Sequence, residues 1–501
     1  MNRLARTLVG TWMALALVTT GTAAPPAGAT SAANEDNLAV LEAIYAAQQK
    51  RLGELERQVA AVVQDADAAR IAAMKRQIRE VLSDAEFRES LVPTTTQVGY
   101  DKGFYIKTTD DRFSLRVSWI AQFRWTHYGT GSRNRYLTPR LERDDRTGFD
   151  FARLRLRFYG HAWDPDLTYF FSFTHAANTR YDVRPIYAWL NYRFCDAFQV
   201  SVGEMRLAST RAQTSAITRY QLVELPFSDA VFGAGVGLGV RMWGRLFDRR
   251  ITWYLDVVNA MNSPANRTIT NDPAELDNSP AILLRVIWHA LGDNPGKEFP
   301  NQSDTAFHES PALDLGVHYW FDDDEGTAFT SRIPFANPNR QWGQGAFGLT
   351  NSNGMQVHTV GYEAAFQYRG FAAVSEFHVR FLDPRRAGRR PFTPWWLMTR
   401  EGDTTSFYGG YLQMGYFLPI PGLERKLEIA ARVEGVGGID PGNQGSWMYT
   451  AGVNYFIHGE KVKLQADISK IEESPISSGT YGIANVNDKA ILARVQLQVA
   501  F

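Results

Sequence analysis

Three arginines, Arg153, Arg155 and Arg157, stand at alternate positions of one short stretch. In an extended strand alternate side chains share a face, so the three form a column of positive charge on one wall. Arginine keeps its charge at any biological pH and presents a rigid fork of donors that matches phosphate or carboxylate oxygens. The chemistry of such a column is the binding or guiding of small anions. The same register holds Arg116, Arg124, Arg241, Arg245 and Arg285. Segment 204–235 adds Arg206, Arg211 and Arg219 beside Glu204, Glu224 and Asp229, and Arg385, Arg386, Arg389 and Arg390 form a cluster suited to collecting anions at an outer mouth. The competing reading is structural: these arginines could pair with acids such as Glu363, Glu376, Glu428 and Glu434 and brace a wall.

Catalytic chemistry finds little to work with. The chain has no Gly-x-Ser-x-Gly elbow, no His-Glu-x-x-His pair and no Gly-x-x-x-x-Gly-Lys phosphate loop. His161, His175, His318 and His378 fall on separate stretches, and the single cysteine, Cys195, excludes both an intrachain disulfide and a cysteine-based metal site. No enzyme, cofactor or metal is expected. Lys+Arg and Asp+Glu both number 53, so the chain lacks the basic surplus that a general nucleic-acid binder needs.

The elements that must position the arginines are strands. From Gly103 onward the chain alternates: Phe113, Leu115, Val117, Trp119, Ala121, Phe123 and Trp125 are interleaved with Ser114, Arg116, Ser118, Ile120, Gln122 and Arg124. One face suits lipid and the other water. Leu154, Leu156 and Phe158 alternate with the arginine column, and the pattern recurs through Ile491, Ala493, Val495, Leu497, Val499 and Phe501. Short links near 163–166, 195–197, 247–250, 368–370, 419–425 and 458–460 take turns with long ones: 129–148, 175–182, 204–235, 260–280, 322–356, 383–405, 436–446 and 472–488. Short turns at one end and long loops at the other are the layout of an outer-membrane barrel. The spacing predicts an all-β transmembrane barrel of 16 antiparallel strands from Phe113 to Phe501, with Gly103–Lys107 as a short extra strand. Sixteen strands enclose an aqueous lumen. One link, 291–310, is long where parity demands a short turn.

The first part of the chain reads differently. Residues 1–29 combine Arg3 and Arg6, an apolar stretch from Leu8 to Val18, and small residues ending at Ala29; this is a secretory signal, cut after Ala29 or after Ala24. Its apolar stretch is too short for the ~20 residues of a spanning helix. Residues 30–92 are expected to form a periplasmic coiled coil. Within them, Leu38, Leu41, Tyr45, Leu52, Leu55, Val59, Val62, Ala66 and Ala69, with Gln48 filling one slot, keep a 3-4 spacing that needs a partner helix. A single amphipathic helix is the alternative. The barrel domain then spans 93–501.

Three motifs resemble a known family. GFYIKTTDDRFSLRV at 103–117 with QFRW at 122–125, FARLRLRFYG at 151–160, and VGEMR at 202–206 followed by GLGVRMWG at 237–244 are similar to the opening strands of the phosphate-selective porin O and P family. The resemblance implies a 16-stranded trimeric porin whose third long loop folds into the lumen, with a periplasmic coiled coil in some members. That loop usually carries arginines, as Glu-Arg-Ser and Gly-Arg-Asp; here the corresponding stretches read VELPFSD at 223–229 and AGVG at 234–237. The departure removes the groups on which phosphate selectivity would rest and leaves the fold implied.

The expected function is passive diffusion of small solutes and ions through a homotrimeric outer-membrane porin, weakly selective for anions such as chloride or phosphate. Phe501, an aromatic ending the last strand, resembles the signal read by the barrel insertion machinery. The alternatives are a phosphate- or polyphosphate-specific channel and a structural tether that joins outer-membrane lipid to the cell wall through residues 35–90.

Overall fold

The computed structural model describes residues 46–47, 50, 54, 96–101, 103–130, 145–175, 183–259, 280–296, 301–324, 355–384, 405–438, 445–476, 480–484 and 489–501. It divides into two units, Met1–Pro93 and Thr94–Phe501. In the first, Ala46, Ala47, Lys50 and Glu54 are helical. The expected signal peptide, 1–29, and the heptad seam of 35–90 otherwise lie outside the described residues, as does the Arg385–Arg390 cluster.

The second unit is a closed antiparallel barrel. A hairpin of β1 (Thr96–Tyr100) and β2 (Phe104–Thr108) leads into β3 (Phe113–Thr130), β4 (Arg146–Ala162), β5 (Asp164–His175), β6 (Val183–Cys195), β7 (Phe198–Arg206), β8 (Val236–Leu246) and β9 (Ile251–Val258). After these come β10 (Ala281–Leu291), β11 (Ala312–Asp324), β12 (Met355–Tyr368), β13 (Phe371–Pro384) and β14 (Thr405–Phe417). The last four are β15 (Leu427–Gly438), β16 (Ser446–His458), β17 (Val462–Glu472) and β18 (Ala490–Ala500). From β3 each strand pairs with the next, and β18 returns to β3 with Val495 opposite Trp125, so sixteen strands close the ring. Closure satisfies every wall N–H and C=O between strands, which a bilayer core demands. Phe501 continues the seam by exchanging two backbone hydrogen bonds with Trp119, 2.9 and 3.1 Å. The hairpin occupies the wall beside it, with β2 paired to the first residues of β3; β1 was not foreseen from the sequence.

Period-two alternation sets the faces. On β10, Leu284 is 46% exposed and Trp288 52%, while Leu283 and Arg285 on either side of Leu284 are 0% and 2% exposed. The outward side is thus apolar and suited to lipid, and the inward side is mostly polar. Besides β1, the departure from the expected layout is the link between β10 and β11. Its residues 301–308 do not hang free but enter the short-turn end of the lumen. Gln367 donates to Asn301 O at 2.8 Å, and the Asp304 carboxylate accepts from Gly370 N at 2.8 Å. The link is long because it builds a piece of the interior.

Candidate functional site

The lumen is narrowed by residues 207–235, which leave β7, fold inward and return to β8. Leu207 N donates to Gly235 O at 3.0 Å and closes the neck. The loop carries α1 (Arg211–Thr214), a 3-10 turn (Ile217–Arg219) and α2 (Phe227–Phe232). Thr210 caps α1 by accepting from Gln213 N at 2.9 Å.

A backbone buried in this way must find partners for its polar groups. Wall side chains supply them. Carboxylates take the loop's N–H groups: Ala212 N donates to Glu376 Oε1 at 2.8 Å, Val223 N to Asp467 Oδ2 at 3.1 Å and Ser228 N to Glu434 Oε2 at 3.3 Å. Cations and amides take its carbonyls: Lys463 donates to Tyr220 O at 2.8 Å, Arg432 to Glu224 O at 2.9 Å and Arg380 to Val231 O at 2.7 Å. Phe227, Val231 and Phe232 add an apolar patch that packs in one cluster with Trp320, Val357, Phe407 and Val436. Inward glycines let the loop lie flat on the wall. A Cβ at Gly415 would sit 2.0 Å from Gln221 Nε2, and one at Gly409 would sit 2.6 Å from Phe232 Cε2. The docked loop therefore covers the β11–β18 side.

From the short-turn end, the β10–β11 link meets the same loop. Gln302 N donates to Arg219 O at 3.2 Å, and Gln302 Oε1 accepts from Gln221 N at 3.0 Å. Ser303 and Gln221 both donate to Glu428, at 2.8 and 2.7 Å. Two segments that enter from β7–β8 and from β10–β11 thus share one set of luminal partners.

Open space runs along β4–β9. A cavity of about 770 Å³ is bounded there by Arg155, Arg157, Arg206 and Arg245 and by the loop residues Thr214 to Ile217. A smaller one of about 300 Å³ adjoins it, sharing Thr214, Ser215, Ala216, Arg245 and Tyr254, and includes Arg211, Arg219 and Arg285 in its wall.

Ten of the luminal arginines read from the sequence divide into two groups; Arg219 stands apart in the wall of the smaller cavity. Arg153 and Arg124 lie 2.5 and 3.8 Å from Glu224, and Arg124 is also 2.7 Å from Asp150. Arg211 bridges Asp314 and Glu363 at 2.9 and 3.1 Å, and Arg285 holds Glu363 at 2.7 Å. Arg241 and Asp256 are 2.6 Å apart, and Arg116 meets Asp101 at 3.2 Å near the hairpin. These six are braces as much as they are wall charges. Arg155, Arg157, Arg206 and Arg245 differ: among the described residues no carboxylate lies within ion-pair distance of them. Arg157 donates to Ser118 Oγ at 2.9 Å, and Arg206 to Tyr187 Oη at 3.1 Å and to Ser215 O at 3.1 Å. Arg155 lies 5.7 Å over the Tyr187 ring and Arg245 5.6 Å over that of Trp243.

Alternation alone missed part of this wall. Arg193 and Arg249 also line the larger cavity, each near a carboxylate: Arg193 contacts Asp166, and Arg249 is 2.8 Å from Asp196. Phe170, Tyr187, Trp189, Trp243 and Tyr254 face the lumen too. A signal existed for Trp189, which shares the parity of Asn191 and Arg193, whereas Leu190 and Tyr192 point outward. Within the loop, burial pushes the Asp229 carboxyl up to about 7, although the Thr210 hydroxyl donates to it at 2.5 Å.

A closed strand ring, an apolar outside and a charged lumen narrowed from within are the parts of a membrane channel. Residues 326–501 match the family of phosphate-selective porins O and P. No curated protein matches the chain. Among solved structures, OmpF of Salmonella typhi in complex with daunomycin is similar at 10% identity, covering 81% of this chain and 100% of that one with a TM-score of 0.48. An anion-selective porin from Comamonas acidovorans is similar at 8% identity, covering 77% and 99% with a TM-score of 0.46. OprB of Pseudomonas putida is similar at 11% identity, covering 83% and 96% with a TM-score of 0.45.

Proposed function

We propose that the protein is a passive, weakly anion-selective diffusion porin of the bacterial outer membrane, working as a homotrimer. One observation carries this reading: the cavity is lined by Arg155, Arg157, Arg206 and Arg245, with no carboxylate within ion-pair distance among the described residues, whereas Arg124, Arg153, Arg211, Arg241 and Arg285 are paired. Unpaired positive charge on the wall of a narrow passage raises the local concentration of anions and repels cations. Selectivity stays weak because Arg193 and Arg249 share the passage with Asp166 and Asp196. Rapid flux also needs binding that is easily reversed. The residues at 223–229 support a general rather than a phosphate-specific channel: they are packed against the wall, with Glu224 turned to Arg153. The heptad seam of 35–90 supports an oligomer joined in the periplasm.

Single-channel recording in planar bilayers tests the reading. Stepwise openings are expected, with a reversal potential in a KCl gradient that has the sign of chloride preference and with no block by millimolar phosphate. Cation preference would overturn it, and current abolished by low phosphate would replace it with a phosphate channel.

A further inference from the structure

The passage carries more than charge. Phe170 and Trp189, paired across β5 and β6, stack with centroids 5.5 Å apart and planes 9° apart; Trp243 and Tyr254, paired across β8 and β9, stack at 6.1 Å and 13°. All four rings line the lumen and none is fully buried. Large rings on a water-filled surface are an unusual use of sequence, because apolar area left wet gives up the stabilisation that burial would bring.

The charges are mounted on this aromatic wall. Arg155 and Arg206 lie over the Tyr187 ring at 5.7 and 5.6 Å, and Arg245 lies over Trp243 at 5.6 Å. A guanidinium stacked on a ring keeps its planar donor edge available while its face is occupied. The loop bounds the same cavity with Thr214, Ser215, Ala216 and the buried Ile217. The cavity therefore brings together flat rings, small loop residues and cationic donors set beside the rings. Inorganic phosphate is tetrahedral and strongly hydrated, and it has no use for flat apolar walls.

Building on the anion-porin reading above, we propose that the passage is tuned to organic anions with a flat ring, of the aromatic carboxylate class, whose ring lies along the Phe170–Trp189 and Trp243–Tyr254 faces while the carboxylate passes from one guanidinium to the next. Stacking and ion pairing are each weak enough to be released, so a solute moves along the wall without being trapped.

The test uses the full-length protein in planar bilayers, carrying a KCl current at fixed ionic strength, with benzoate, acetate or inorganic phosphate added in turn. Benzoate is expected to interrupt the current at about tenfold lower concentration than acetate or phosphate, the gain of one aromatic contact. Equal potency of the three anions would overturn the proposal. Trp189→Leu should erase the benzoate advantage and Trp189→Phe should keep it; an advantage that survives Trp189→Leu would also count against the ring wall. Should the leucine variant fail to fold, the anion series on the unaltered protein still decides. The reversal potential, recorded in the same membranes, separates the two readings: loss of chloride preference defeats the porin proposal, whereas chloride preference without benzoate preference defeats only this one.

Discussion

Arg153 Nη2 and Glu224 Oε1 face each other at 2.5 Å, one on the barrel wall and the other on the luminal loop. Arg153 is 8% exposed and Glu224 1%. Arg124 stands behind them, 3.8 Å from the same carboxylate, and the Arg153 guanidinium lies over the Tyr220 ring at 5.3 Å. A buried pair adds little net stability, but removing one partner strands the other.

Glu224→Ala is therefore expected to destabilise the docked loop by ~3–5 kcal/mol, the usual cost of leaving a buried charge unpaired. Larger and noisier single-channel openings would follow, together with faster proteolysis within 207–235. A variant with unaltered conductance and protection would show that the pair does not hold the loop.

The two groups of arginines should separate in experiment. Arg155→Gln with Arg157→Gln removes charges that have no carboxylate beside them, so the reversal potential is expected to move toward zero with little change in thermal stability. Arg241→Gln with Asp256→Asn removes a pair that is neutral as a unit, the two groups lying 2.6 Å apart. That double exchange should leave the reversal potential near its original value. Identical shifts in both variants would mean that pairing does not decide which arginines select.

Asp304 ties the β10–β11 link to the β12–β13 turn through Gly370 N at 2.8 Å and holds the His308 ring at 2.6 Å. Asp304→Ala leaves that buried amide without its acceptor, at a cost of about 1–3 kcal/mol. Hydrogen exchange at Gly370 and Arg369 should quicken, and conductance should rise as the link loosens from the short-turn mouth.

Loop docking should also respond to pH through Asp229. Its carboxyl, held up to about 7 by burial, keeps its proton in the docked state at pH values where a free carboxyl near 3.8 has lost it. A raised folded value means stabilisation that is fully present below 3.8 and is lost as pH rises through about 7. Open-channel noise is thus expected to grow between pH 5 and pH 8, and Asp229→Asn should flatten that rise. Noise that falls with rising pH would contradict the assignment.

Much of the frame was legible in the sequence because its causes are local. Alternation through Phe113–Trp125 and Ile491–Phe501 follows from lipid on one side and water on the other, and turn lengths follow from strand order. The sixteen strands needed nothing more, whereas the inward fold of 207–235 was implied only by the family resemblance. Bracing by acids such as Glu363 was one of two readings open in the sequence, but which arginines pair was not legible, because it is settled by distant partners: Arg285 and Arg211 meet on Glu363, 78 and 152 residues away. The ring wall was missed because alternation assigns large aromatics to lipid, and β5 and β6 carry them on both faces. The 291–310 link broke the parity rule because its length serves the lumen, not the turn.

The stitches that seat the luminal loop are also long in sequence. Glu224 reaches back 71 residues to Arg153, while Gln221 reaches forward 207 to Glu428 and Val223 forward 244 to Asp467. Contacts of that span can reward the chain only after the intervening strands are in place, since the entropy of closing such loops must be met first. Partners for the loop's backbone come mostly from β11 to β18, so a ring that still lacks its final strands has little to hold the loop against. During assembly the wide cylinder must therefore exist before its throat does. The rate at which a newly inserted barrel stops leaking should track completion of the C-terminal strands, not the folding of residues 207–235 themselves.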